Sequence, residues 1–292
     1  MNEFLGTGVA LVTPFNQDGS IDYQGLSRLI NYQIDGGVEY LVSLGTTGET
    51  ATLTKSEKDA IWKFTAEVVN KRVPLIAGIG GYSTAEVLES LEKFNTEGYS
   101  AILSVSPFYN KPTQEGIYQH YKAIAEEAPL PVLIYNVPGR TASNISAETT
   151  LRLAHDCSNI FGTKEASGNF DQFNAILRDK PENFLFISGD DGITLPLMAM
   201  GGSGIISVAG NAIPKQLSEM VRLCLAGDFR TAAPLHLKLT KFFSQLFAEN
   251  NPGGIKSALK HLGICNDHLR LPLCPVSEQN AEAIRLELGK IM

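Results

Sequence analysis

The sequence predicts an α/β protein, a closed (β/α)8 TIM barrel with a C-terminal helical extension. Three observations support this prediction. Short runs rich in Val, Ile and Leu recur along the chain as far as residue 208. Amphipathic segments separate consecutive runs. Beyond residue 214 only helical patterns remain, so the sheet is expected to be complete by then.

The strand-like runs are apolar almost throughout, which is typical of parallel strands buried on both faces. Strands alternating with helices predict a closed parallel barrel. An open doubly wound sheet is the main alternative, but no Gly-x-Gly-x-x-Gly follows the first run. The runs occupy residues 8–13, 40–44, 74–79, 101–106, 132–137, 160–164, 184–188 and 204–208.

Amphipathic segments indicate helices between the strands and after them. Thr54-x-x-Glu57 and Ser83-x-x-Glu86 fit the capping box, in which a hydroxyl and a carboxylate satisfy free amides. The helical segments are 22–36, 56–70, 85–98, 115–128, 147–156, 170–178 and 193–200, followed by 215–226, 229–248, 255–262 and 277–291.

The chain divides into a barrel at 1–225 and a helical extension at 226–292. No linker rich in Pro, Gly or Ser separates the two, so we expect the extension to pack on the barrel. A separate helical domain is the alternative.

Composition excludes several classes of function. Hydrophobic residues make up 43% and charged residues 19% of the chain, which supports a buried core. A net charge of -7 gives no broad attraction for nucleic acid or anionic lipid. No signal peptide or membrane span is visible, and no Cys or His pair has metal-ligand spacing. We therefore expect a cytoplasmic protein with no metal, no cofactor, no nucleic acid and no membrane partner.

Active sites of parallel barrels collect where strands end and loops begin. Lys164 closes the sixth strand-like run. There, desolvation would lower the pKa of the amine and free it to attack a carbonyl. A solvated lysine at a strand end is the alternative interpretation. Glu165 should face the other way by strand alternation and is expected to be structural.

Tyr135 and Arg140 follow the fifth run in Tyr-Asn-Val-Pro-Gly-Arg. A tyrosine beside an amine nucleophile can shuttle protons through carbinolamine and imine steps. An arginine offers a planar two-pronged donor for a carboxylate. The alternative is an ordinary turn, with the tyrosine in the core and the arginine on the surface.

Two loops add further candidates. Gly-Thr-Thr-Gly-Glu at 45–49 combines hydroxyls with exposed amides, which suits a carboxylate, although Glu49 can also simply hold the loop in place. Pro-Phe-Tyr-Asn-Lys-Pro at 107–112 is a stiff aromatic loop, typical of a site, a subunit contact or local packing. Together the four clusters supply an amine, a proton shuttle, a carboxylate clamp and an anion cradle. An imine-forming aldolase that acts on keto acids requires this combination.

Ordered motifs then carry a resemblance to a known family. The segments 45–49, 135–140 and 161–168 resemble the signatures of the dihydrodipicolinate synthase and N-acetylneuraminate lyase family. The likeness runs from Gly-Val-Ala-Leu-Val-Thr-Pro at 8–14 to Leu-Pro-Leu at 271–273.

The resemblance implies a role for each matching position. Lys164 would form an imine with pyruvate, and Tyr135 would donate and accept protons. Thr46 would link Tyr135 to Tyr109 of a neighbouring subunit in a proton relay. The expected catalytic residues are therefore Lys164, Tyr135, Thr46 and Tyr109.

The remaining matches concern substrate binding. Thr47 and the backbone at Ile206 would hold the pyruvate carboxylate. Arg140 would receive the second substrate, and Gly189 matches a position near the bound keto acid.

The implied reaction condenses pyruvate with L-aspartate 4-semialdehyde to 4-hydroxy-tetrahydrodipicolinate, in lysine and diaminopimelate biosynthesis. The alternative is N-acetylneuraminate lyase or another 2-keto acid aldolase of the same family. Arg140 favours the first reading because N-acetylmannosamine has no carboxylate. A catalytically inactive barrel that serves as a binding protein is the remaining hypothesis. The family also implies a homotetramer, built as a dimer of dimers.

Regulation by lysine is expected to be weak. Regulated members carry two histidines and an asparagine around an interface pocket. Here the matching positions hold Lys55, Lys58 and Tyr82, with Phe108 where a tyrosine is common and Glu86 retained. Two lysines would repel the ammonium of a lysine ligand. The segment Asn-Pro-Gly-Gly-Ile-Lys at 251–256 predicts only a turn into a helix.

Overall fold

The computed structural model describes residues 2–292; Met1, where the predicted barrel range begins, lies outside them. The strands form a closed barrel in chain order, and every neighbouring pair is parallel, including β1 with β8. This closure confirms the predicted TIM barrel and rules out the open sheet. The strands are β1 Gly6–Ala10, β2 Tyr40–Ser43, β3 Leu75–Gly78, β4 Ala101–Val105, β5 Val132–Asn136, β6 Ile160–Glu165, β7 Leu185–Ser188 and β8 Gly204–Ser207.

Helices follow the strands and then form the C-terminal extension. They are α1 Tyr23–Asp35, α2 Lys55–Val69, α3 Thr84–Lys93, α4 Gln114–Glu127, α5 Pro138–Thr141, α6 Ala147–Asp156, α7 Phe170–Asp179, α8 Thr194–Ala199, α9 Pro214–Leu225, α10 Phe229–Phe247, α11 Gly253–His261 and α12 Glu278–Ile291.

The first strand differs from its predicted range of 8–13. It begins at Gly6, which pairs with Gly204 of β8, and it ends at Ala10. The Leu11 amide still donates to the Val42 carbonyl of β2 at 3.0 Å, whereas the Val12 amide donates to the Asn211 side chain at 3.3 Å. The apolar run continues past the strand because Leu11 and Val12 are buried in the hydrophobic core.

The third helix is shorter than its predicted range of 85–98. It ends at Lys93, and Phe94 adopts an extended conformation with ψ 125°. The Phe94 ring packs against Trp62 and Tyr99, with centroid distances of 5.1 and 5.2 Å. Core packing of this ring therefore takes the chain out of the helix. The short helix α5 was not predicted, because its Pro-Gly-Arg-Thr sequence reads as a turn.

The two predicted capping boxes differ in completeness. At Thr54 both halves form, because its hydroxyl accepts from the Glu57 amide and the Glu57 carboxylate accepts from the Thr54 amide. At Ser83 the hydroxyl accepts from the Glu86 amide at 3.5 Å, and only this half of the box is formed.

The barrel separates two apolar layers. Inside it, side chains from the strands pack around residues such as Leu133 and Ile187. Phe4 closes the N-terminal end, with its ring 5.5 Å from that of Tyr40 and 5.2 Å from that of Phe161. The larger layer lies between the strands and the surrounding helices. With one end filled in this way, a site can open only at the C-terminal end of the strands.

The C-terminal helices pack on the barrel as expected. Helix α10 contacts α8, α9, α11 and α12, and α11 also contacts the turn that follows β8. The division of the chain at residue 225 stays a prediction. None of the helices within residues 2–292 is long and apolar enough to cross a membrane.

Candidate active site

A cavity of about 370 Å³ opens at the C-terminal end of the barrel strands. It is lined by residues from strand ends, from the loops that follow them and from the C-terminal helices. The structure therefore gathers most of the predicted site residues into one cavity: Lys164, Tyr135, Thr46, Thr47, Arg140 and Gly189.

Lys164 reaches the cavity from β6, and only 5% of its surface is exposed. Burial lowers its pKa to about 7; the Asp191 carboxylate opposes this shift and the Arg140 guanidinium adds to it. A substantial fraction of the amine is therefore neutral near pH 7. A neutral, buried amine in a cavity is suited to attack a carbonyl carbon.

Gly189 leaves room for the Lys164 side chain. A Cβ at Gly189 would lie 3.1 Å from Lys164 Cε and 2.8 Å from Ala166 Cβ. Any larger residue at this position would press on the stem of the lysine. The glycine at the end of β7 thus has a steric reason to be there.

Tyr135 lies beside Lys164 on the neighbouring strand. The Lys164 Nζ is 4.2 Å from the centroid of the Tyr135 ring. Burial raises the pKa of Tyr135 to about 12, and Arg140 and a hydrogen bond with the Thr46 side chain act in the opposite direction. The phenol is therefore neutral, and its hydroxyl can both donate and accept a proton.

Thr46 and Thr47 lie in a 3-10 turn, Thr46–Gly48, that follows β2. The turn is closed by the Gly48 amide to the Gly45 carbonyl at 2.9 Å, and the Gly48 carbonyl accepts from the Thr13 hydroxyl at 2.7 Å. The first amides of such a turn have no partner within it, and the Thr47 hydroxyl, which accepts from Asn251 Nδ2 at 3.4 Å, can still donate. This arrangement suits a small carboxylate.

Arg140 lies in α5 at the mouth of the cavity, and its side chain is exposed. Its first turn closes on Val137, whose carbonyl accepts from the amides of Arg140 and Thr141 at 2.9 and 3.1 Å, and Ala142, which ends the helix, has a left-handed conformation with φ 53°. An exposed guanidinium that lines the cavity suits a substrate group that lies farther from the buried Lys164.

Glu165 faces away from the cavity, although it is next to Lys164 in the sequence. Its carboxylate is fully buried and accepts hydrogen bonds from the Asn136 and Gln172 side chains and from the Ser167 amide. Burial raises its pKa, and these donors oppose that shift. The contacts are those of a structural residue that anchors the loops after β5 and β6.

Two predicted site residues lie outside the cavity. Tyr109 is 89% exposed and has a φ of 72°. Ile206 is 1% exposed, its side chain packs in the inner layer of the barrel and its backbone pairs with Gly8. The relay through Tyr109 of another subunit, and carboxylate binding by the backbone at Ile206, stay predictions.

Asp191 is a functional candidate that the sequence analysis missed. Its buried carboxylate accepts from the amides of Val208 and Ala209 at 3.1 Å each and from the Ser207 hydroxyl. Burial raises its pKa while these donors oppose the shift. The carboxylate also acts on Lys164 by raising the pKa of the amine. Asp191 lies three residues after the end of β7, so its place near a strand end is the signal in the sequence that marks it.

Helix α10 supplies a second group of missed residues. One of its faces lines the cavity, with the i, i+3, i+4, i+7 spacing that places side chains on one stripe of a helix. The residues are Thr240, Phe243, Ser244 and Phe247. The spacing is visible in the sequence, but an apolar stripe in the C-terminal extension indicates core packing rather than a site.

The comparisons with known proteins agree with this geometry. Residues 3–290 match the model of the "Dihydrodipicolinate synthetase family". A relative named 4-hydroxy-tetrahydrodipicolinate synthase, from Parabacteroides distasonis, is 53% identical over 98% of this chain and 96% of its own length. A second relative of that name, from Flavobacterium psychrophilum, is 52% identical over 98% of each chain.

A solved structure has the same fold. The crystal structure of dihydrodipicolinate synthase from Aquifex aeolicus superimposes with a TM-score of 0.95 and 41% identity, covering 98% of each chain. The match therefore extends over the barrel and the C-terminal helices together. On the family match and these identities, the chain belongs to the dihydrodipicolinate synthetase family.

Proposed function

We propose that the chain condenses pyruvate with L-aspartate 4-semialdehyde, through an imine on Lys164, to give 4-hydroxy-tetrahydrodipicolinate. The observation that carries this proposal is the buried Lys164 amine, whose pKa is lowered to about 7, in a cavity with the Tyr135 hydroxyl and the Thr46–Thr47 turn. Relatives about half identical in sequence bear the name of this activity.

The chemistry follows from the groups in the cavity. The neutral Lys164 amine adds to C2 of pyruvate, and loss of one water gives the imine. Tyr135 transfers protons between nitrogen and oxygen in these steps. Loss of a methyl proton gives an enamine, which forms a carbon–carbon bond with the aldehyde of the second substrate. The amino group of that substrate then adds to C2 and displaces the lysine, which leaves the enzyme unchanged.

Pyruvate presents one carboxylate, and the Thr46–Thr47 turn is the group in the cavity suited to it. The Thr47 hydroxyl and the first amides of this turn supply neutral donors without adding a second cation close to Lys164. A cation there would lower the pKa of the amine still further. The carboxylate end and the carbonyl end of pyruvate are thus assigned to different walls of the cavity.

Arg140 favours an aldehyde that carries its own carboxylate. The guanidinium can bind this group in a two-pronged manner at the cavity mouth. N-acetylmannosamine has no carboxylate for this guanidinium to bind. This observation argues against the amino sugar as the partner, and hence against the lyase alternative. A binding protein without activity would not need a desolvated lysine beside a tyrosine.

The proposal also covers the oligomeric state, the cellular location and the pathway of the enzyme. We expect a homotetramer, a dimer of dimers, as the resemblance to the family implies. The exposed Tyr109 would have its relay role only in an assembly of at least two subunits. We also expect a cytoplasmic enzyme of lysine and diaminopimelate biosynthesis that needs no cofactor.

Trapping of the imine tests the proposal. Sodium borohydride added with pyruvate should reduce the imine, and mass spectrometry should find the adduct on Lys164. Lys164→Met should give no adduct, whereas Lys63→Met, at an exposed lysine of α2, should be trapped like the unmodified protein. A wild-type protein that stays unlabelled would overturn the Schiff-base mechanism.

A second experiment tests the identity of the aldehyde. Turnover with pyruvate should be observed with L-aspartate 4-semialdehyde and not with N-acetylmannosamine. Arg140→Met should raise the KM for the semialdehyde by at least about tenfold, since a charge-assisted two-pronged bond is lost. Trapping with pyruvate alone should persist in this variant. Preferential turnover of the amino sugar would reverse the assignment.

A further inference from the structure

A buried ion pair lies behind the Thr46–Thr47 turn. Lys256 Nζ and Glu49 Oε1 are 2.5 Å apart, and neither side chain has any exposed surface. Lys256 also donates to the His268 carbonyl at 2.8 Å and lies over the Phe15 ring, 4.3 Å from its centroid. Glu49 accepts from the Arg270 amide at 3.3 Å. The pair therefore joins the second strand loop of the barrel to the C-terminal extension.

Stability alone does not explain this pair. Taking two charges out of water costs free energy that their attraction often only repays, and buried pairs can often be replaced by apolar residues without loss. A buried pair is better explained where it fixes one arrangement among several. Glu49 and Lys256 are thus expected to fix the arrangement of the two segments that they join.

Glu49 ends the Thr46–Gly48 turn and has a left-handed conformation with φ 55° and ψ 36°. Residues other than glycine adopt this conformation at a cost, and surrounding contacts must hold them in it. The ion pair with Lys256 is such a contact, and Glu49 lies two residues after Thr47, which we assign to the carboxylate.

Lys256 lies in α11, which begins immediately after Asn251 and Pro252. Asn251 lines the cavity, and its Nδ2 is 3.4 Å from the Thr47 hydroxyl. The start of α11 thus contacts the turn from the cavity side through Asn251 and from behind through Lys256.

Helix α11 is itself firmly placed. A Cβ at Gly254 would overlap the backbone of Leu246 in α10, so the two helices are in backbone contact there. The side chains of Ile255, Ala258 and Leu259 are fully buried. A rigid helix that touches a strained turn at two points can define where that turn stands.

We propose that Glu49, Lys256 and Asn251 are positioning residues that hold the Thr46–Gly48 turn, and with it Thr47, where it binds the carboxylate of pyruvate. This inference rests on the proposed function and assigns a task to the 251–256 segment, for which the sequence offered only a turn. The C-terminal extension is then a part of the active site that acts from outside the barrel.

Loss of these contacts should weaken binding of pyruvate and leave binding of the semialdehyde unchanged. A displaced turn weakens its hydrogen bonds to the pyruvate carboxylate, so the KM for pyruvate rises by at least about tenfold, the usual effect of losing a hydrogen bond to a charged group. The KM for the semialdehyde stays within about twofold, since Arg140 lies on another element. An effect of general destabilisation would not separate the two substrates.

Three variants and one control test this. Glu49→Gln and Lys256→Met each leave one buried charge without its partner, so both lose thermal stability and pyruvate affinity. The double variant Glu49→Gln/Lys256→Met removes both charges, so it regains melting temperature while its pyruvate KM stays raised. The control is Glu57→Gln, which breaks the ion pair of Glu57 with Arg270 at 2.5 Å, another link between the C-terminal extension and the barrel. The control loses stability without change in the pyruvate KM.

The pyruvate KM of the double variant decides the question. If it returns to the wild-type value together with the melting temperature, the pair serves stability only and the inference is overturned. Asn251→Ala provides a second decision, because it removes the contact on the cavity side and leaves the ion pair in place. A pyruvate KM unchanged in both Asn251→Ala and the double variant is incompatible with positioning.

Amide hydrogen exchange separates this inference from the proposed function. Exchange in a peptide that covers residues 45–49 is expected to be at least about tenfold faster in the double variant than in wild type or Glu57→Gln. This readout requires no turnover. Equal exchange in all three proteins overturns the positioning role even if the aldolase activity is established, and a wild type that forms no imine overturns the function alone.

Discussion

Lys164 and Tyr135 are register partners on the adjacent strands β6 and β5, with the lysine Nζ 4.2 Å from the centroid of the tyrosine ring. The ring is part of the buried surroundings of the amine, and burial is the main cause of its lowered pKa. The hydroxyl at the end of the same ring is placed to transfer protons. Tyr135 thus contributes both to the burial of the Lys164 amine and to the proton transfers that follow its attack.

Removal of the Tyr135 hydroxyl should separate these two effects. Tyr135→Phe keeps the ring over Lys164, so we expect a folded protein in which kcat falls by about 10²- to 10⁴-fold, the usual contribution of a proton-transfer group. Steady-state kinetics, together with the rate of trapping by borohydride, measure this loss. Retention of more than about a third of the kcat would exclude a proton-transfer role.

Tyr121→Phe is the matched control for that variant. Tyr121 is a buried tyrosine whose hydroxyl donates to the Ser104 carbonyl at 2.9 Å, outside the cavity. Its loss should lower the free energy of unfolding by about 1–3 kcal/mol, because a buried carbonyl loses its donor. The kcat should stay unchanged, and denaturant unfolding and kinetics together check this contrast.

The pH dependence of imine formation should report the Lys164 amine. Attack needs the neutral amine, so the trapping rate should rise through about pH 7 and then level off. Asp191 raises this pKa and Arg140 lowers it. Asp191→Asn removes a negative charge and should move the midpoint to lower pH, whereas Arg140→Met removes a positive charge and should move it to higher pH. Shifts in the same direction would contradict this electrostatic account.

The space at Gly189 should be needed for the reactive position of Lys164. A Cβ there would lie 3.1 Å from Lys164 Cε. Gly189→Ala should therefore displace the amine and lower the trapping rate by at least about tenfold. Gly139→Ala is the control, since a Cβ at Gly139 meets nothing within 4 Å although it adjoins Arg140. Equal rates in the two variants would mean that the site tolerates the methyl group.

The strand ends were predictable because a parallel barrel presents them at one end. Apolar runs identify the strands, and polar residues that follow them, such as Lys164 and Tyr135, are therefore neighbours in space. Arg140 and the loop that contains Thr46 were found in the same way, whereas the resemblance to a family added Gly189; all three line the same cavity.

The remaining features depend on contacts between distant parts of the chain. Phe243 and Phe247 read as core residues of a helix, and nothing local indicates that one stripe of that helix faces the cavity. Asn251 and Lys256 reach back about 200 positions to the turn after β2. Phe94 leaves its helix because of two aromatic partners elsewhere, which periodicity cannot reveal.

Feedback inhibition by L-lysine should be weak. Lys55, Lys58 and Glu86 line a second cavity of about 220 Å³. Glu89 in this cavity is paired with Lys55 at 3.1 Å and with Lys93 at 2.5 Å, so this carboxylate is occupied. A lysine ligand would bring a further ammonium into a cluster that already holds cations. Initial rates should therefore stay above about half of the control at millimolar L-lysine, and half-inhibition below that range would show the prediction to be wrong.

The predicted relay through Tyr109 of a neighbouring subunit can be tested with mixed assemblies. Tyr109 is 89% exposed and stands outside the cavity of its own chain. Tyr109→Phe should therefore lower kcat without loss of thermal stability. Lys164→Met should be inactive while its Tyr109 is intact. Neither variant forms a complete site alone, but an assembly of both contains one if the tyrosine crosses between subunits.

Coexpression of Tyr109→Phe with Lys164→Met in equal amounts gives the decisive measurement. In a mixed pair, the intact Lys164 meets the intact Tyr109 of its neighbour, and one of the two sites is wild type. Random pairing makes half of the pairs mixed, so about a quarter of all sites, and about a quarter of the wild-type kcat, should return. If Tyr109 acted within its own chain, the mixture would show only the average of the two variants, because no assembly would place both groups in one site.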